Sequence, residues 1–158
     1  MDTPVVIVHS TDQITAVLCA TDEASCEVLI LSTPNAAASL GAGIFRAMID
    51  LAQEKTPERS FVAALGCGRD AGNALAAIRC GIKAIVLSDD CPAYARVADI
   101  ARQNNVCLLS PDVYGPQGGM SDGTTPLDLM EQPDPLAACR EFLHTGKAVS
   151  IPAQRMTS

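Results

Sequence analysis

The sequence predicts an α/β fold built on a parallel sheet, and three observations predict it. Five short runs are apolar without a break and rich in Val, Ile and Leu, the pattern of strands buried on both faces. Between them lie segments whose apolar residues recur at helical spacing. Each passage from a run into the next segment is short and polar, carrying Ser, Asp, Asn or Gly. Strands and helices that alternate in this way are repeated βα units, whose strands run parallel.

Val5, Val6, Ile7 and Val8 make the first strand. Ser10 and Asp12 then supply N-cap chemistry, and Ile14, Val17, Leu18 and Thr21 recur on one helical face. Residues 28–31 are the second strand, and Ser32, Thr33, Pro34 and Asn35 turn the chain, because proline cannot continue a ladder. Leu40, Ile44, Met48 and Leu51 mark the next helical face, expected to point at the core, and Pro57 ends that helix. Residues 61–65 form the third strand and residues 66–70 a loop; Ala71, Ala74, Leu75 and Ile78 form a helix face. Gly81 stands where a left-handed C-terminal cap is expected. Residues 83–87 are the fourth strand, Pro92 fits a first helical turn, and Tyr94, Val97, Ala98 and Ala101 face inward. Residues 106–109 are the fifth strand, closed by Ser110, Pro111 and Asp112.

Residues 113–134 break the rhythm with clustered Gly and Pro, and Leu136, Cys139, Phe142 and Leu143 mark one late helix. The expected organisation is therefore a βα-repeat domain over residues 1–112 and a turn-rich C-terminal appendage, 113–158. The appendage carries Leu127, Leu129, Met130, Phe142 and Leu143, which must pack on the domain or on a partner subunit. Right-handed crossovers leave two architectures for five parallel strands. One is an open, doubly wound sheet of the flavodoxin-like kind; the other is part of a (β/α) barrel with its strands in sequence order.

Composition narrows the function classes. Eleven Lys and Arg against 18 Asp and Glu leave a net charge of −7, so a phosphate backbone is repelled and nucleic acid is not an expected partner. No apolar run approaches the roughly 20 residues of a membrane span, and the start runs directly into a strand with no basic n-region. A cytoplasmic location is expected. The seven cysteines, at 19, 26, 67, 80, 91, 107 and 139, contain no C-x-x-C pair, so zinc is not expected and the thiols read as free and mostly buried. No metal and no cofactor is expected.

Ligands of parallel α/β folds bind beyond the carboxyl ends of the strands. That rule selects Ser32, Asn35, Gly66, Gly68, Arg69 and Asp70 as candidate ligand-binding residues. The Gly66–Gly68 loop follows a strand and opens a helix, so its backbone can approach an anion closely, and Arg69 can grip a carboxylate or phosphate. The competing reading is a tight turn with Arg69 paired to a nearby Asp. Cys67, beside the helix start and Arg69, has the surroundings that lower a thiol pKa, and is a catalytic candidate together with Asp89. His9 ends the first strand, either as a hydrogen-bonded structural residue or as a base; Asp89 and Asp90 can cap a helix or hold magnesium.

Ala64, Leu65, Gly66, Cys67 and Gly68, the helix from Ala71 to Gly81, and the strand ending at Ser88 together resemble the corresponding βα units of the 2-keto-3-deoxy-6-phosphogluconate (KDPG) aldolase family. The likeness covers the first five units, residues 5–111. It implies an aldolase-like fold, and a trimer if it extends to assembly. The family carries a catalytic Glu on its second strand with a substrate-binding Arg after it; Val28 to Pro34 has neither. Its Schiff-base Lys lies on a sixth strand and its phosphate site on the last two; the stretch after Pro111 is too short to hold those strands, and Lys83 sits at the wrong end of the fourth. The resemblance thus implies a fold relative without aldolase activity.

Three functions follow as expectations. The first is a module binding a small anionic metabolite on the rim. The second is a small enzyme using Cys67, Arg69 or Asp89. The third is an assembly protein whose sheet is completed by a partner. A homo-oligomer is expected, a dimer by base rate with a trimer as the alternative, because a parallel sheet needs cover on both faces.

Overall fold

β1 (Val5–Ile7), β2 (Leu29–Leu31), β3 (Val62–Gly66), β4 (Ala84–Val86) and β5 (Cys107–Leu109) fall where the apolar runs predict them. The computed structural model describes residues 3–57, 61–114, 126–130 and 132–145. All strand pairs are parallel, and the sheet order is β5-β4-β3-β2-β1-β6. Among the described residues the sheet is open, not closed into a barrel, and it has six strands where five were expected. The sixth, β6 (Leu127–Asp128), pairs Val6 with Leu127 and Ile7 with Asp128. It lies inside the expected appendage. Two residues carry too little alternation to read as a strand.

Among the described residues five helices longer than one turn connect or follow the strands: α1 (Thr11–Ala24), α3 (Ala42–Lys55), α4 (Ala71–Arg79), α5 (Tyr94–Gln103) and α6 (Pro135–Thr145). A single turn, α2 (Ala36–Ser39), precedes α3. Ser10 caps α1, its hydroxyl accepting from the Gln13 N–H, and Ile14, Val17, Leu18 and Thr21 are all buried as their spacing predicts. Gly81 adopts φ +80°, the left-handed conformation expected after α4.

Strands β1 to β5 step across the sheet in one direction. Right-handed crossovers repeated in one direction put every connecting helix on the same face. The core accordingly joins Val6, Ile30, Leu65 and Ile85 of one sheet face to the buried residues of α1, α3, α4, α5 and α6. The sheet is wound on one side, and the doubly wound arrangement is not formed. On the other face Ile7, Leu31, Ala64, Ala84 and Val86 form a second, smaller cluster with Val113 and Tyr114. These last two belong to a 3₁₀ turn, Pro111–Tyr114, that folds back over the carboxyl half of that face. Toward the amino ends of the strands a cavity of about 340 Å³ remains, bounded by Leu29, Val62, Ala84, Cys107 and Leu109.

The described part of the C-terminal segment packs on its own chain. Leu127 and Leu129 are fully buried and Phe142 is 4% exposed, while Met130 stays in solvent. α6 lies against α1, where Arg140 grips Glu23 through two hydrogen bonds of 2.6 and 2.7 Å. The guanidinium lowers the Glu23 pKa.

One expected face is turned outward. Leu40, Ile44 and Leu51 are 37%, 55% and 52% exposed. α3 buries Ala42, Phe45 and Ala52 instead. Gly41, at φ +93°, bends the chain between α2 and α3, and the phase of α3 is set by Phe45 entering the core.

Candidate functional site

Parallel strands deliver their following loops to one edge of the sheet. At that edge β1 is flanked by β2 and β6. Leu129 N–H donates to the Ile7 carbonyl (3.1 Å), which carries the β1–β6 pairing up to the next residues. His9 Nε2 then lies 2.6 Å from Asp128 Oδ1, across 119 residues of sequence. Met130 N–H donates to the same carboxylate oxygen at 2.9 Å. Gln13, in the first turn of α1, locks the pair from below. Its Oε1 accepts the His9 N–H (2.6 Å) and its Nε2 donates to the Leu129 carbonyl (3.0 Å). The His9 and Asp128 side chains are 20% and 27% exposed, so the pair is fixed yet open to a solute. With Nε2 donating to the carboxylate, Nδ1 is left to accept a hydrogen bond when the ring is neutral and to donate one when it is protonated.

Beside this pair the loops after β2 and β3 interlock. Ser32 is 2% exposed; its hydroxyl donates to the Thr33 carbonyl (2.9 Å) and accepts the Gly66 N–H (2.8 Å). Gly66 has no room for a side chain. A Cβ there would stand 2.4 Å from the Pro34 carbonyl oxygen, 2.4 Å from the Tyr114 hydroxyl and 2.5 Å from the Thr33 carbonyl oxygen. Asn35 reaches over Gly68, where the chain turns with φ +61° and a Cβ would meet Asn35 Oδ1 at 2.6 Å. The Tyr114 hydroxyl is enclosed and makes no hydrogen bond among the described residues. Burial raises its pKa, with the neighbouring Ser32 acting in the opposite direction.

The remaining expected residues do other work. Arg69 Nε pairs with Asp90 Oδ1 at 3.0 Å, both side chains more than half exposed, which realises the tight-turn reading of that loop. Asp90 also accepts from the Ser88 hydroxyl at 2.6 Å. Asp70 caps α4, its carboxylate accepting the Asn73 N–H at 3.1 Å. The loop's backbone donors are largely spent inside the fold: Gly66 N–H on Ser32, Cys67 N–H on the Val86 carbonyl, Asp70 N–H on the Cys67 carbonyl. Asp89 is exposed beside Asp90. Cys67 reverses the expectation drawn from its neighbours. It is 2% exposed, and burial, with Asp70 adding to it, pushes its thiol up to about 12. Loss of hydration outweighs the positive helix end, because an anion needs solvent or a close donor, and the thiol's hydrogen-bond partner among the described residues is an acceptor, the Leu65 carbonyl 3.5 Å away.

The edge thus gathers two groups. His9, Asp128 and Gln13 stand together; Ser32, Gly66, Tyr114, Asn35 and Gly68 form the adjoining floor; Arg69 and Asp70 turn outward with Asp90. Asp128, Gln13 and Tyr114 are the residues that sequence reasoning missed. The signal available was a carboxylate between two leucines, Leu127 and Leu129, which alternates as a strand does. Among the described residues no group of three or more His, Cys, Asp or Glu is placed to hold a metal ion, and no helix is long and apolar enough to cross a membrane. No protein-family model matches the chain, and no curated protein matches it.

Proposed function

We propose that this protein binds a small anionic metabolite at the carboxyl edge of its sheet, at His9, without aldolase chemistry. The observation that carries the reading is the His9–Asp128 pair, 2.6 Å apart and partly open to solvent, on the edge where ligands of parallel α/β sheets bind. A carboxylate or phosphate seated there meets the Nδ1 side of the His9 ring, the side turned away from Asp128. It also meets the start of α1 at Thr11, where the helix dipole favours negative charge. Asp128 holds the ring in one orientation, so little ordering is lost on binding. Lys83 lies at the start of β4, at the opposite end of the strands, and takes no part.

A thermal-shift screen of small carboxylates and phosphates tests the reading. A true ligand stabilises the wild type, His9→Ala removes the gain, and Arg69→Ala keeps it. The reading fails if no such compound raises the melting temperature, or if His9→Ala responds as the wild type does.

A second reading has support from the same pair. A histidine held by a carboxylate is the arrangement of a general acid–base, with Nδ1 as the group that moves the proton. Turnover of a bound metabolite that disappears in both His9→Ala and Asp128→Ala would favour it. A bound metabolite recovered unchanged favours the binding module.

A further inference from the structure

Ser10 and Gln13, three residues apart at the start of α1, have the spacing of a capping box, in which the glutamine side chain turns back onto the backbone N–H of the capping serine. Half of the box is formed: the Ser10 hydroxyl accepts the Gln13 N–H at 3.2 Å. The other half is displaced by one residue. Gln13 Oε1 passes Ser10 and accepts the N–H of His9, at 2.6 Å. The far end of the same amide is also engaged, Nε2 donating to the Leu129 carbonyl at 3.0 Å.

These two partners are the groups that a continuing sheet would join directly. Along a strand, alternate residues turn their backbone groups to alternate neighbours. Val8 N–H is spent on the Leu31 carbonyl of β2, so Ile7 and His9 turn theirs toward β6. Ile7 stands in register with Asp128, and its carbonyl accepts the Leu129 N–H at 3.1 Å. Bonds of a parallel ladder are evenly spaced, and the next one here would run from His9 N–H to the Leu129 carbonyl. In its place stands the Gln13 carboxamide. It offers an acceptor to one strand and a donor to the other, as a peptide group does. β1 and β6 are thus paired at Ile7 and Asp128, then held one amide apart beside the His9–Asp128 contact.

We propose that Gln13 is the positioning residue of this edge: its amide, inserted as one rung between β1 and β6, sets the offset at which His9 meets Asp128. The His9 backbone hangs on Oε1 and the Leu129 backbone on Nε2, and Asp128 is the residue before Leu129. Loss of either bond frees the strand ends to move by the width of an amide, far more than a contact of 2.6 Å tolerates. The same geometry accounts for the residue type. A Glu would serve the helix cap equally well, and its charge would suit the helix start better. Once ionised, however, it has no hydrogen to donate to Leu129. The use of this positioning rests on the ligand reading of the edge; the geometry itself is tested without a ligand.

Gln13→Glu separates a cap from a positioning residue. A residue that only capped α1 would leave the edge unchanged in this variant. As a positioning residue, its lost bond to Leu129 should draw His9 Nε2 and Asp128 Oδ1 apart, from 2.6 Å to beyond about 3.5 Å, in a crystal structure of the full chain. Gln13→Met, of similar length and with neither bond, should do the same. Nuclear magnetic resonance of the isotope-labelled wild type supplies a second measurement that needs no variant. Through-hydrogen-bond couplings should link His9 N–H to the side-chain carbonyl carbon of Gln13, and Gln13 Nε2 to the carbonyl carbon of Leu129. A His9–Asp128 pair still within hydrogen-bond distance in either variant overturns the proposal. So does a wild-type His9 N–H coupled to the carbonyl carbon of Leu129. A thermal-shift screen that finds no compound removes the ligand reading and leaves these distances standing.

Discussion

Gly66→Ala is the sharpest perturbation of the edge. One methyl group is added, and the backbone at Gly66 is not in the left-handed region, so the cost is steric alone. The new carbon would stand 2.4 to 2.5 Å from three oxygens: the Pro34 and Thr33 carbonyls and the Tyr114 hydroxyl. The tyrosine belongs to a surface turn and can swing away. The Thr33 carbonyl cannot, because it accepts from the Ser32 hydroxyl and the Ala36 N–H, and Ser32 is tied to β3 through the Gly66 N–H. Overpacking of this kind costs typically about 1–3 kcal/mol, and three contacts this short put Gly66→Ala near about 3 kcal/mol. For a chain of this length each kcal/mol moves the melting temperature by about 2–4 °C, so a fall of about 6–12 °C is expected. Gly43→Ala is the control. Nothing lies within 4 Å of its added carbon, and it stands inside α3. It should be stabilising by about 0.5–1 kcal/mol through helix propensity. Urea denaturation followed by circular dichroism, at one protein concentration, measures both. A Gly66→Ala cost below about 1 kcal/mol would refute the packing of the β2 and β3 loops against Tyr114.

Tyr114→Phe deletes an enclosed hydroxyl that makes no hydrogen bond among the described residues, so stability should stay within about 1 kcal/mol of wild type or rise; a larger loss in urea denaturation would mean the hydroxyl is bonded. Asp128→Ala leaves His9 and the Met130 N–H without their acceptor and should cost about 1–2 kcal/mol, with hydrogen exchange rising first at β6. Cys67 and Cys139, both pushed up to about 12 by burial, are held neutral in the fold, whereas in the unfolded chain they ionise near 9. The unfolded state then binds fewer protons, so their contribution is complete below pH 9 and is lost as pH rises from 9 toward 12. The urea midpoint should fall across that window, less steeply in Cys67→Ala, and iodoacetamide at pH 8 should label exposed Cys80 and Cys107 well before Cys67.

The sheet was legible because burial on both faces removes ambiguity. A run such as Ala84, Ile85 and Val86 has no polar position, and only a parallel strand under a helix layer accepts that. The polar loops were legible as an edge for the same reason: strands of one direction end together. Which loop residues converge was not legible. Asp70 and Arg69 carry the right chemistry for an anion site, but each has a nearer duty, capping α4 or pairing with Asp90, and local partners a few residues away win over a ligand. His9 was visible as an edge residue, yet the residue that orients it lies 119 positions on, in a strand of two residues. Periodicity needs length, and β6 has none to offer.

The α3 stripe and the empty half of the second sheet face show two ways in which apolar pattern and burial part company. Residues 62 and 107 sit in strands whose outer face is covered by no helix among the described residues, a consequence of winding the sheet in one direction. Their exposure is set by topology and falls on one Val and one Cys. The α3 stripe has no such cause. Its helix is already packed through Phe45 and Ala52, and the chain could place any polar residue at 44 or 51 without disturbing that contact. Ile and Leu at those positions, two turns apart and flanking an Ala, stand 55% and 52% exposed, so about half of each side chain's apolar surface is left in water. The same spacing that marks a helix face for the core marks it equally for a partner. Sequence alone cannot separate the two, because both remove the same side chains from water; what separates them is which turn of the helix the bend at Gly41 brings to the sheet.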